Sequence, residues 1–202
     1  MKRPIVIIAA MVLVGLAVAA LAGIAWNWLK PANLHGMALQ ANERSLDFSL
    51  NNAAGQPVKL SDFRGKVVLL YFGYTFCPDV CPATLAQVSE AMKQLGSDAD
   101  RVQLIMISVD PERDTPAKTQ TYVEQFDPRF IGLTGDPDTL TRITAAYGII
   151  YEKHEGSVAT GYLIDHTATV TVVDRDGYAR LILPFGISGT DIASDMRYLL
   201  SH

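Results

Sequence analysis

The only two cysteines of this 202-residue chain lie close together, in the segment CPDVCP at residues 77–82. They directly follow the apolar run VVLLYF at residues 67–72, which is typical of a strand buried on both faces. Two thiols at a turn after such a strand can form a disulfide or hold a soft metal ion. This pair is therefore the first candidate for function.

Pro82 predicts where the helix after the strand begins, because proline is favourable in a first helical turn and disruptive further inside a helix. We therefore expect Cys81 at the helix N-cap and Cys77 in the loop before it. The dipole at a helix N-terminus favours a thiolate and lowers its pKa. A loop position also leaves the two sulfur atoms free to meet.

Several known cysteine patterns differ from this one. Thioredoxins have two residues between their cysteines and this chain has three, while a c-type haem motif needs a histidine where Pro82 stands. A structural disulfide is an alternative, although it would close a very short loop and constrain the unfolded chain little. Zinc with an open fourth position is another.

A metal site needs at least one more ligand, and the chain has four histidines. His35 and His202 are expected to be solvated, and His154 lies in a polar stretch. His166 falls between two strand-like segments, at a strand or loop end where α/β domains build their sites. Two thiolates and one imidazole suit copper, because thiolate ligands select Cu(I).

The N-terminal segment predicts a membrane anchor over residues 1–30. Residues 5–29 contain no charged side chain, and this uncharged run is long enough to cross a bilayer as a helix. Lys2 and Arg3 precede this run, so the N-terminus should stay in the cytoplasm and the remainder should be exported. A signal peptide cleaved near residues 20–22 is the alternative.

The exported part predicts a linker over residues 31–44 and one α/β domain over residues 45–202, with strands and helices alternating. The Thr-Pro pair at residues 115–116 and the Asp-Pro pair at residues 136–137 predict capped helix starts. The formal net charge is −4 without a basic stripe, so nucleic acid is not an expected partner.

Three segments in order resemble the Sco/SenC family, the copper-binding assembly factors of cytochrome c oxidase. They are YFGYTFCPDVCP at residues 71–82, SVDPERDTP at 108–116 and DHTA at 165–168. The resemblance extends from about residue 45 to the C-terminus and includes an N-terminal anchor. It implies a thioredoxin-like sandwich, a central sheet flanked by helices.

The resemblance also implies a function. Copper would be bound by Cys77, Cys81 and His166 and delivered to the binuclear copper site of cytochrome c oxidase subunit II. The domain would then lie in the periplasm or an equivalent space, anchored in the inner membrane and kept reduced by a thioredoxin-like partner. The alternative is a thiol–disulfide oxidoreductase, for which Cys77 and Cys81 are the redox pair and His166 is not needed.

The segment at residues 110–114 has two interpretations at this stage. Arg113 either pairs locally with Asp110 or Asp114, or it contacts a partner protein. Met92, Met106 and Met196 lie in helix or strand patterns, which predicts that they belong to the core and are not copper ligands.

Overall fold

The computed structural model describes residues 11–13, 15–21, 34–156 and 161–202. The chain divides into two compact units, residues 1–33 and residues 34–202. Residues 11–13 and 15–21 are helical, and the rest of the anchor predicted over residues 1–30 lies outside the described residues. Within the described ranges, no helix has both the length and the apolar character needed to span a bilayer.

The described residues of the second unit, 34–156 and 161–202, form ten strands and four α-helices. The strands are β1 (Met37–Ala38), β2 (Ser49–Asn51), β3 (Pro57–Lys59), β4 (Val67–Gly73), β5 (Val102–Ser108), β6 (Ile131–Leu133), β7 (Tyr151–Glu155), β8 (Tyr162–His166), β9 (Val170–Val173) and β10 (Ala179–Leu183). The helices are α1 (Val80–Leu95), α2 (Pro116–Glu124), α3 (Pro137–Ala146) and α4 (Gly189–Ser201).

A mixed sheet of six strands forms the centre, in the order β1-β10-β9-β4-β5-β6. Every residue of β4 and of β5 is buried, as their continuous apolar sequences predict. Helix α1 packs against α4, and α2 packs against β6. This is the α/β arrangement that the sequence pattern predicts, in the thioredoxin-like form that the resemblance to the Sco/SenC family implies.

The topology brings three chain segments to one edge of this sheet. β4 and β5 are parallel, with Gly73 opposite Ser108, so the loops that follow them emerge side by side. β9 runs antiparallel to β4, so the chain enters β9 from the same edge. The cysteine loop (residues 74–79), the loop at residues 110–114 and the end of β8 therefore meet there.

The predicted helix starts at the two proline pairs are confirmed. The side chain of Thr115 accepts a hydrogen bond from the backbone N–H of Lys118, and Asp136 does the same for Thr139. In both helices the proline that follows stands in the first turn, where its missing N–H would have no partner.

The expected position of Cys81 at the helix N-cap is wrong. Helix α1 begins at Val80 with Asp79 as its N-cap, so Cys81 lies inside the first turn. The carbonyl of Asp79 already accepts the N–H of Ala83, as the first helical bond. Pro82 fits two residues further in than expected because none of the first N–H groups of a helix has an intrahelical partner.

One strand and two histidines lie where the sequence pattern did not indicate them. β1 falls within the segment predicted as a linker, where Met37 pairs with Ile182 of β10. The nearby His35, expected to be solvated, places Nδ1 3.0 Å from a carboxylate oxygen of the buried Asp195. His154, placed in a polar stretch by the sequence, lies on β7.

Candidate metal centre

Cys77, Cys81 and His166 meet at the sheet edge described above. Each offers one ligand atom, and these atoms all lie within 4.8 Å of one another. Cys77 comes from the cysteine loop, Cys81 from the first turn of α1, and His166 from the last residue of β8. The structure thus brings together the three residues singled out from the sequence, and it describes both cysteines as free thiols.

The sequence predicts that the N-terminus of α1 stabilises the Cys81 sulfur. In the structure it stabilises the Cys77 sulfur instead. The backbone N–H of Cys81 points at Cys77 Sγ, 3.3 Å away. A hydrogen bond from the Cys81 thiol lowers the pKa of Cys77 to about 4 against the opposing effect of burial. The same hydrogen bond and its own burial raise the pKa of Cys81.

The pair therefore shares a proton asymmetrically, with a Cys77 thiolate and a Cys81 thiol. A soft cation entering between the sulfur atoms would displace that proton, as expected when a thiolate ligand binds a metal. The difference also separates the two thiols chemically. Cys77 is half-buried and is the better nucleophile, whereas Cys81 has no exposed surface.

The imidazole of His166 is oriented for ligation through Nε2. Its Nδ1 lies 3.2 Å from the carbonyl oxygen of Thr167, to which an Nδ1–H group donates. This leaves the Nε2 lone pair directed at the thiols, with Nε2 3.3 Å from Cys81 Sγ. A backbone carbonyl holding the second ring nitrogen is the arrangement commonly found behind a metal-bound histidine.

Aromatic rings hold the imidazole in place. Tyr71 and Tyr74 meet the His166 ring edge to face, with centroid separations of 6.1 and 6.0 Å. Both tyrosines are almost fully buried, so they limit how far the ring can turn. Sequence inspection missed these contacts, although both tyrosines lie in the segment just before Cys77.

Gly73 provides the space that the Cys81 sulfur occupies. A Cβ atom at Gly73 would lie 2.8 Å from Cys81 Sγ and 3.0 Å from Tyr71 Cε1, which is too close for any side chain. The sequence offered one signal for this role, since a glycine at the end of an otherwise bulky apolar strand often marks a close approach.

A cleft of about 300 Å³ opens onto the centre, and its lining includes Cys77, His166, Pro78 and Leu163. Cys81 is not part of the lining and lies behind the other two ligands. An ion or a partner thiol arriving from solvent would therefore meet Cys77 and His166 first.

The donor set fits a soft cation. Two sulfur atoms and one neutral imidazole nitrogen are the ligand types that suit copper. Other histidines and methionines, which the sequence does not predict as metal ligands, have different surroundings. His154 and His202 are exposed, and Met92, Met106 and Met196 are buried in the core. Among the described residues, no other group of histidines, cysteines and carboxylates converges in this way.

Comparison with known proteins identifies the family. The sequence model of the SCO1/SenC family matches residues 37–201. The chain belongs to the SCO1/SenC family. The chain is 35% identical over 167 residues to the mitochondrial SCO2 homolog of Mus musculus, and this match covers 77% of the chain. Such matches span 66% of the mouse protein and 50% of the human and bovine proteins.

Solved structures of the family resemble this chain closely. Copper-bound ScoI of Bradyrhizobium japonicum is 38% identical, with a TM-score of 0.71 and coverage of 78% of this chain and 100% of that one. The apo Sco1 protein of Thermus thermophilus is 39% identical, with a TM-score of 0.74 and coverage of 84% and 98%.

Proposed function

We propose that this protein binds one copper ion through Cys77, Cys81 and His166 and delivers it during cytochrome c oxidase assembly. The observation behind the proposal is the convergence of three ligand atoms within 4.8 Å on a half-open cleft. Copper is the metal named for ScoI of Bradyrhizobium japonicum, which has this fold and 38% identity. The recipient we propose is the binuclear copper site of oxidase subunit II.

The site has properties that suit transfer as well as binding. Three ligands leave room for a fourth donor from a partner, and two of them line the cleft by which a partner would approach. An incoming thiolate could therefore join the coordination sphere before Cys81, the buried ligand, dissociates from the ion. This stepwise exchange avoids releasing the ion into solvent.

We further propose that the domain works on the outer side of the inner membrane, held by the anchor predicted over residues 1–30. A pair of thiols in that space can be oxidised, so a thioredoxin-like reductant would be needed to keep Cys77 and Cys81 ready for metal. The uncharged run over residues 5–29 and the preceding Lys2 and Arg3 support this topology.

Copper titration of the reduced full chain tests the binding step. Wild type should bind one copper(I) per chain, and His166→Ala should bind more than about 100-fold more weakly, since loss of even an outer-shell partner costs roughly 10- to 100-fold. His202→Ala is the matched control, because that histidine is exposed at the C-terminus. Wild-type affinity in His166→Ala would refute the three-ligand site.

Thiol–disulfide exchange is the second candidate, and one observation favours it. Cys77 is half-buried with a lowered pKa while Cys81 is buried and protonated, which is the usual division between an attacking and a resolving thiol. If exchange is the main activity, His166→Ala should retain most of the rate of disulfide reduction, whereas Cys77→Ser should abolish it. A reduced wild-type protein that does not bind copper but reacts rapidly with a partner disulfide would establish this alternative.

A further inference from the structure

The loop at residues 110–114 contacts two of the three segments that bring ligands to the metal centre, the cysteine loop and β8. It follows β5 at the sheet edge and is held as a tight turn, since the N–H groups of Arg113 and Asp114 both donate to the carbonyl of Asp110. Its two carboxylates, Asp110 and Asp114, are 2% and 1% exposed. Buried carboxylates need strong partners, and these two find them on different elements.

Asp114 holds the cysteine loop. It accepts the backbone N–H of Thr75 at 2.8 Å and the Thr75 hydroxyl at 2.5 Å. The hydroxyl of Ser108, the last residue of β5, donates to the same carboxylate at 2.6 Å. Thr75 stands two residues before Cys77, so this carboxylate fixes the start of the loop that supplies the first thiol.

Asp110 and Arg113 hold the ligand hairpin, which we define as β7 and β8. The Tyr162 hydroxyl donates to Asp110 Oδ1 at 2.6 Å, and Arg113 Nη1 donates to the Tyr162 carbonyl at 2.9 Å. The Arg113 guanidinium also lies 3.5 Å from the Tyr162 ring centroid and pairs through Nε with Asp110. The local pairing of Arg113 predicted from the sequence is thus confirmed, and it extends to the hairpin.

The alternation of side chains along β8 connects these contacts to the imidazole. Tyr162, Ile164 and His166 point to the same side of the strand, towards the domain. Ile164 is buried, and its N–H donates to the Tyr74 hydroxyl at 3.2 Å. His166 stands four residues beyond Tyr162, or roughly 13 Å along the strand. A rotation or slip of β8 at Tyr162 would therefore turn the imidazole away from the thiols.

We propose that Asp110, Arg113 and Tyr162 are positioning residues for His166, so that one loop, which also holds the cysteine loop through Asp114, sets the distance between the imidazole and the Cys77 thiol. The proposal rests on the copper site described above and assigns a role to the segment at residues 110–114. None of the three touches the ligand atoms in the contacts described. They act through the backbone of β8, while Asp114 acts through the cysteine loop.

Tyr162→Phe tests this role, because it removes one hydroxyl and keeps the ring beside Arg113. In the metal-free full chain, amide hydrogen exchange along β8 should accelerate by roughly ten- to a hundred-fold, the size expected for losing a hydrogen bond to a carboxylate. In the copper(II)-loaded chain, the nitrogen coupling from imidazole should weaken or become heterogeneous in electron paramagnetic resonance spectra. Arg113→Lys, which keeps the charge but loses the planar fork, should act in the same direction.

Ser89→Ala is the control, since it removes a comparable hydroxyl bond, 2.7 Å to the carbonyl of Phe126, away from the hairpin. It should leave β8 exchange and the nitrogen coupling unchanged. If Tyr162→Phe behaves like this control in both measurements, the positioning role is refuted. If wild type itself shows no copper signal, the proposed function fails, and the exchange measurement on the metal-free chain still decides whether the loop holds the hairpin.

Discussion

Replacing Gly73 by alanine tests how tightly the sheet holds the Cys81 sulfur. The new Cβ would lie 2.8 Å from Cys81 Sγ, 3.0 Å from Tyr71 Cε1 and 3.4 Å from Met106 Cε. Non-bonded heavy atoms prefer separations of about 3.5–4.0 Å, so the sulfur or the strand must move by roughly 0.7–1.2 Å. That exceeds the roughly 0.5 Å within which a working site is held.

Two effects should follow from this displacement. Overpacking of this kind costs about 1–3 kcal/mol, which lowers the Tm by about 2–12 °C for a domain of this size. Copper(I) affinity, measured by competition with a chelator, should fall by roughly tenfold or more, as for other changes behind a metal ligand. The sulfur-to-copper(II) absorption band should shift in parallel, because Cys81 is displaced from its position beside His166.

Gly135→Ala provides the matched control. Its Cβ would lie 2.6 Å from Leu50 Cδ2, which is again too close, but it touches neither cysteine. It should lower the Tm while leaving copper affinity and the absorption band unchanged. A Gly73→Ala protein that loses stability but binds copper with wild-type affinity and spectrum would refute the idea that Gly73 shapes the centre.

Two predictions concern ionisation. Cys81→Ala removes the main cause of the lowered Cys77 pKa, so the pH midpoint of Cys77 alkylation should rise from about 4 towards the usual range for a thiol; an unchanged midpoint would contradict the proposed sharing of a proton. The hydrogen bond to Asp195 raises the pKa of His35 above 6.5, so the stability that this contact adds is complete below that pH and is lost as the pH rises through the folded value. The Tm difference between wild type and His35→Gln should accordingly be larger near pH 5.5 than near pH 8.5. Equal Tm differences at the two pH values would contradict a stabilising contact between protonated His35 and Asp195.

The sequence predicts the parts of this fold that depend on local signals. β4 and β5 are long apolar runs, and the helix starts at Thr115 and Asp136 have cap residues followed by proline. β1 and β6 have two and three residues, which is too short for a periodic pattern. They exist because longer neighbours in the sheet offer them partners.

The candidate site is likewise only partly predictable from the sequence. The types of its three ligands and their spacing are visible in the sequence, but the reversal of roles between Cys77 and Cys81 is not. It depends on a two-residue difference in where α1 begins, and proline tolerates either start. The contact of Tyr162 with Asp110 spans 52 residues, so no local pattern could indicate it.

Copper K-edge X-ray absorption of the copper(I)-loaded full chain tests the central claim most directly, because it counts the ligand atoms around the ion. The proposed site predicts two sulfur neighbours and one nitrogen neighbour, with the nitrogen lost in His166→Ala and one sulfur lost in Cys77→Ser. The same coordination in wild type and His166→Ala, or fewer than two sulfur neighbours in wild type, would contradict it.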